Sequence, residues 1–137
     1  MPQVVKVATG PAEFTLEPIN DREAEALLRA ALNLFQRWKL TDAEAAVLLD
    51  VAPRTFTRWK SGVPGRLDRD QRARLSNLIG IHKALRLIFK EPDRAYDWVG
   101  KPNAAFGGRS ALAVMLNGEL TDLMRVRRYL DAERGGW

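Results

Sequence analysis

The sequence contains no cysteine. That excludes disulfides and thiolate metal sites, and it fits a reducing compartment. Histidine is almost as scarce, with His82 standing alone inside an apolar helical run. Such a residue reads as an interior or boundary group rather than a catalyst. There is no Ser/His/Asp set, no Cys/His ligand cluster and no glycine-rich phosphate loop of the expected form. The chain is therefore not expected to be an enzyme, and no metal or cofactor is expected. Long apolar runs are missing too. Nothing approaches the roughly 18 residues of a membrane span. The opening MPQVVKVATGPAEF lacks both the basic start and the apolar block of a secretory signal. A soluble cytoplasmic protein with no membrane partner is expected. Alternating strand patterns, repeats and low-complexity tracts are absent as well, which leaves an all-α chain.

What is present is a hydrophobic fraction of 46% over 137 residues, enough to build a core in one compact unit or two small ones. The net charge of +5 is unevenly spread. Residues 27–90 hold thirteen basic and five acidic side chains, while residues 91–137 hold seven of each. A basic patch confined to one segment suits phosphate contact. It also suits a solvated helical face, and charge alone does not separate the two.

Local signals place the helices. Residues 1–19, punctuated by Pro2, Gly10, Pro11 and Pro18, read as a flexible tail. Asn20 with Glu23, Thr41 with Glu44, and Asp68 with Gln71 each put a capping side chain three residues before a partner that can reach back. Leu27, Leu28, Ala31, Leu32, Phe35 and Trp38 then share one face of a first helix. A second helix runs to about Asp50. Pro53 opens a third, because its missing N–H costs nothing in a first turn, and Gly62 closes it. A long fourth helix extends from Asp68 to about Phe89. Its apolar residues, among them Leu75, Leu78, Ile81 and Leu85, spread over more than one face. It should pack on two sides, and spare apolar surface there would suit a homodimer. A short helix around Tyr96 and Trp98 follows Pro92. KPNAAFGGRS reads as a loop, Ser110–Asn117 as a helix, and residues 120–133 as the last helix. This gives a tail (1–19), a first domain (20–90) and a second (91–137).

The stretch LDVAPRTFTRWKSG has the requirements of a helix-turn-helix. Ala46 is small enough to let the next helix cross closely. Asp50 stands where a glycine is usual, and aspartate enters the left-handed backbone region more readily than most residues. Leu49, Val51, Phe56 and Trp59 lie beneath the helices. Arg54, Thr55, Thr57, Arg58 and Lys60 face outward. In this geometry the N-terminal side chains of the second helix meet base edges in the major groove, where arginine can form a forked contact to guanine. The stretch resembles the helix-turn-helix of Xre/Cro-type regulators through its Arg58-Trp59 pair and Gly62.

The elements FGGRSALAVMLNGE within residues 94–130 resemble the toxin-binding domain of Xre/MbcA/ParS antitoxins. The two resemblances together cover most of residues 40–134. They imply a partner of the RES-domain toxin type, which consumes NAD, and operator DNA as a second partner. Toxin contact is carried by resemblance onto Phe106, Gly107, Gly108, Arg109 and Ser110, and onto the last helix and tail. In RVRRYLDAERGGW, Arg125, Arg127, Arg128, Arg134 and Trp137 are candidate contacts, and the terminal Trp137 with its free carboxylate could enter a nucleotide cleft. On the residues alone, the Gly-Gly stretch is equally a plain inter-helix loop and the terminus a frayed end. The alternative function is a stand-alone repressor whose C-terminal half only dimerises.

Overall fold

A computed structural model describes residues 20–62 and 64–135. The N-terminal segment 1–19 and Trp137 lie outside the described residues. The order is α1 (Asp21–Arg37), α2 (Asp42–Leu49), α3 (Pro53–Lys60), α4 (Arg69–Ile88), α5 (Pro92–Asp97), α6 (Ala111–Met115) and α7 (Leu120–Glu133), with single 3-10 turns at Trp98–Gly100 and Ala104–Phe106. Among the described residues the only β pairing is an isolated antiparallel bridge between Pro102 and Ser110. The chain is all-α, with a helix-turn-helix region followed by a helical C-terminal part.

The helix starts form where the caps stand. Asn20, Thr41 and Asp68 each accept a hydrogen bond from the backbone N–H three residues on, and Glu23, Glu44 and Gln71 each accept one in return from the cap's N–H. Two otherwise orphaned donors are satisfied at each of these ends. Residues Glu119 and Asp122 form the same reciprocal box ahead of α7.

The core is continuous from α1 to α7. Leu28, Ala31, Leu34, Phe35 and Trp38 of the first helix and its cap are buried, as are Ala45, Ala46, Leu48 and Leu49 of α2. Helix α4 runs through the middle. Its Leu75, Leu78, Ile81, Ala84 and Leu85 are buried, and it packs on α1 and, most extensively, on α7. Gly80 lets α7 come close, because a Cβ there would lie 2.5 Å from Cζ of Arg127.

Helix α4 packs on two sides, as its spread of apolar residues predicted: those faces lie against α1 and α7 of the same chain. Leu87, 68% exposed, is the one large apolar side chain of α4 left open, with Ile88 and the cap residue Phe89 half-buried.

Candidate functional site

The first candidate surface is α3. Asp50 adopts φ +54 and ψ +51, the left-handed turn that its sequence position requires. Its N–H donates to the carbonyl of Val47 and that of Val51 to the carbonyl of Ala46. Pro53 then opens α3 in its first turn. Phe56 and Trp59 are both buried, and Phe56 lies 6.4 Å from Phe35, ring centre to ring centre. These two aromatics build the core and cannot stack on bases.

Their burial leaves the opposite face of α3 outward, but not all five expected side chains present themselves equally. Arg54 and Arg58 are exposed, and among the described residues neither pairs with a carboxylate. Thr57 is exposed, and its hydroxyl donates to the carbonyl of Pro53 at 3.0 Å. Thr55 is half-buried. Lys60 is exposed as expected, but it is paired. Its Nζ lies 3.0 Å from both carboxylate oxygens of Asp42 and 5.8 Å from the centre of the Phe56 ring. It therefore leans back toward α2.

The second candidate surface is the segment that joins α5 to α6. Asn103 organises it. Its side-chain oxygen accepts from the N–H of Ala105 at 2.8 Å, its carbonyl accepts from Phe106 and Gly108, and its N–H donates to the carbonyl of Arg109. Sequence reasoning did not single out Asn103, although an asparagine in a Pro- and Gly-rich stretch is the usual turn former. Gly107 and Gly108 take φ +67 and +87, and a Cβ at either would meet nothing within 4 Å. Their need for glycine is conformational, and the backbone they expose is open to a partner. Ser110 caps α6 by accepting from Ala113 at 3.0 Å. One terminal nitrogen of Arg109 donates to the Ala113 carbonyl at 3.0 Å and to the Asn117 side chain at 3.2 Å, so its exposed guanidinium is held along α6.

Phe106 is a correction. Toxin contact was expected of it, yet it is 4% exposed. Its ring meets Tyr129 edge-on at 5.2 Å and Trp98 at 6.5 Å, while Trp98 stacks on Tyr129. The guanidinium of Arg125 covers its outer side at 5.3 Å. An apolar ring between two glycines and a charged helix is worth more in the core than in water. Phe106 thus anchors the loop from below.

Of the α7 cations, Arg125 and Arg128 are exposed and Arg127 is half-buried over Gly80. Arg127 and Arg134 both reach Asp131, at 3.8 and 3.4 Å. His82 stacks on Tyr96 at 5.7 Å. Burial, and then the neighbouring charge of Arg86, hold its pKa below the ordinary 6.5. Among the described residues no three His, Asp or Glu side chains come together as a metal site, and no helix is long and apolar enough to cross a membrane.

Comparisons with known proteins match two successive parts of the chain. Residues 18–80 match the antitoxin Xre-like helix-turn-helix domain. Residues 84–136 match the antitoxin Xre/MbcA/ParS C-terminal toxin-binding domain. The two meet inside α4 rather than after it. The chain is 40% identical over 128 residues to the uncharacterized protein y4oB of Sinorhizobium fredii, covering 93% of this chain and 99% of that protein. It also resembles a chain in the crystal structure of the M.tuberculosis MbcT–MbcA toxin–antitoxin complex. That match has a TM-score of 0.54 and 28% identity, over 80% of this chain and 95% of that one. With both domain models matched in order and nearly the whole length shared with one relative, the chain belongs to the Xre/MbcA/ParS-type antitoxins.

Proposed function

We propose that this antitoxin neutralises a RES-type toxin that consumes NAD, and that it represses its own operon through α3. The observation that carries the reading is the pairing of two exposed surfaces on one core. One is a recognition helix with Arg54 and Arg58 turned outward. The other is a rigid, backbone-exposing turn at Gly107–Gly108 set beside α7. Toxin contact falls on Gly107, Gly108, Arg109 and Ser110, and on Arg125, Arg127, Arg128 and Arg134. Trp137 lies outside the described residues, and its aromatic ring has the chemistry to enter a nucleotide cleft. The similarity to a chain from a toxin–antitoxin complex supports a protein partner of this kind. Operator DNA falls to Arg54, Thr57 and Arg58, with Thr55 and Lys60 at the edge. The protein acts by binding, without turnover and without a cofactor. A homodimer that presents two recognition helices to DNA would match a two-fold operator.

The test is a pull-down from cells carrying the chain's neighbouring genes, followed by growth and NAD measurements. Recovery of one stoichiometric protein that depletes NAD and arrests growth, with both effects reversed by this chain, is the expected result. Removal of residues 135–137 should weaken neutralisation. Full neutralisation by that truncated chain would refute the role of Trp137. Recovery of DNA alone by the folded chain would favour a stand-alone repressor.

A further inference from the structure

Among the described residues Arg74 is the one charged side chain in the core, 4% exposed. A buried guanidinium persists only where its donors are matched. Its Nε donates to Asp70, one turn earlier on α4, at 2.8 Å. One terminal nitrogen donates to the carbonyl of Leu48 at 3.2 Å, and the other to the carbonyl of Gly118 at 2.9 Å. The Asp50 carboxylate lies 4.0 Å away.

The two carbonyls belong to different halves of the molecule. Leu48 is in the last turn of α2, where carbonyls have no helical partner, and it leads directly into the left-handed turn at Asp50. Gly118 precedes Glu119, the cap of α7. A Cβ at Gly118 would meet Cγ1 of Val47 on α2 at 3.6 Å, so the two segments are also neighbours in space. The planar fork of arginine fixes the distance between its two terminal nitrogens. Moving one carbonyl therefore strains or breaks the bond to the other.

We infer that Arg74 is a positioning residue that couples the recognition helix to the toxin-binding half. A displacement of the Gly118–Glu119 step passes through the guanidinium to the Leu48 carbonyl, and from there to the Asp50 turn that aims α3. What the two ends bind rests on the function proposed above; the coupling itself does not.

The test begins with the free full-length chain. Asp122→Ala removes the acceptor of the Glu119 N–H, a bond of 3.1 Å, and loosens the start of α7. Amide hydrogen exchange is then followed by NMR at Asp50 and Val51, with the α1 amides of Leu34 and Phe35 as an internal reference. Exchange at Asp50 and Val51 should rise by up to about fivefold, the scale of one lost cap, while the α1 amides stay behind. The differential should vanish in Arg74→Lys, which keeps the charge and loses the fork. No differential rise in the Asp122→Ala chain would overturn the inference without any need for an Arg74 variant to fold. So would a rise that persists in Arg74→Lys. With toxin and operator in hand, toxin should change operator affinity in the native chain and not in Arg74→Lys. A chain that shows the exchange differential but binds neither toxin nor DNA would refute the proposed function and leave the coupling standing.

Discussion

Replacing Asp42 should strengthen DNA binding, although Asp42 is not on the recognition helix. The reason is Lys60, which Asp42 holds by both carboxylate oxygens at 3.0 Å. The two side chains are 46% and 53% exposed, so the pair adds about 0–1 kcal/mol to stability. Asp42 also lies in the first turn of α2, where a carboxylate contributes about 0.3–1 kcal/mol through the helix dipole. Asp42→Asn should thus leave the fold intact. It frees one cation at the end of α3. Each phosphate contact adds about 0.9 to the slope of log affinity against log salt. Between 50 and 200 mM salt, that is about 3.5-fold in affinity per contact. Asp42→Asn should therefore steepen the slope by up to about 0.9, whereas Arg54→Ala and Arg58→Ala should each flatten it by up to about 0.9. Fluorescence anisotropy on labelled operator at three salt concentrations measures all of these. An unaltered slope after removal of both arginines would refute the placement of α3 on the phosphates. A weaker affinity in Asp42→Asn would refute the account of Lys60.

Three further outcomes follow from the geometry. At Asp50, alanine should cost about 1 kcal/mol, because an ordinary residue resists the left-handed region. Glycine should be within a few tenths of the native value, as relief of strain offsets its freedom in the unfolded chain; equal losses in urea titrations would show that the backbone angle is not the issue. Phe106→Ala should lower stability by about 3–5 kcal/mol and abolish toxin binding, although Phe106 offers no surface to a partner. A stable variant that still fails to bind would mean that the ring touches the toxin after all. For His82, the unfolded chain takes up the proton first as pH falls, since the folded pKa is the lower one. Its contribution is full above 6.5 and declines as pH drops through the folded value. Urea midpoints at pH 5, 6 and 7.5 should fall less in His82→Phe than in the native chain, and identical slopes would refute the assignment.

The helices were legible because their signals are local. A cap and its partner stand three residues apart, and Pro53, Gly62 and Asp50 act on their own backbone angles. The split of Phe56 and Trp59 from Arg54 and Arg58 follows from helical periodicity alone. What escaped the sequence depends on distant neighbours. Lys60 looked free because Asp42 lies eighteen positions away, and nothing local joins them. Phe106 looked available because Gly107 and Gly108 follow it, yet Trp98 and Tyr129 close over it only in three dimensions. The faces of α4 were rightly read as many, but the element that covers most of them, α7, lies a loop and two short helices further on. Arg74 gave no sign of burial: its partner Asp70, one turn away, reads as an ordinary surface pair, and its other two acceptors are backbone carbonyls, which carry no side-chain signature.

The position of α4 has a consequence for how long the protein survives in a cell. This helix is the common wall of both halves, and Leu123, Val126 and Leu130 of α7 are fully buried in the same core. A protease that clips the chain between Phe89 and Leu120 would sever α7 and, once it dissociates, leave α4 with an apolar stripe facing water. The remnant would have lost much of what holds α4 in place, and with it the floor beneath α1 and α2. Degradation begun between α4 and α7 should therefore run through to the other half. A fragment ending near Phe89 should not persist as a folded unit, and the two halves should be lost together.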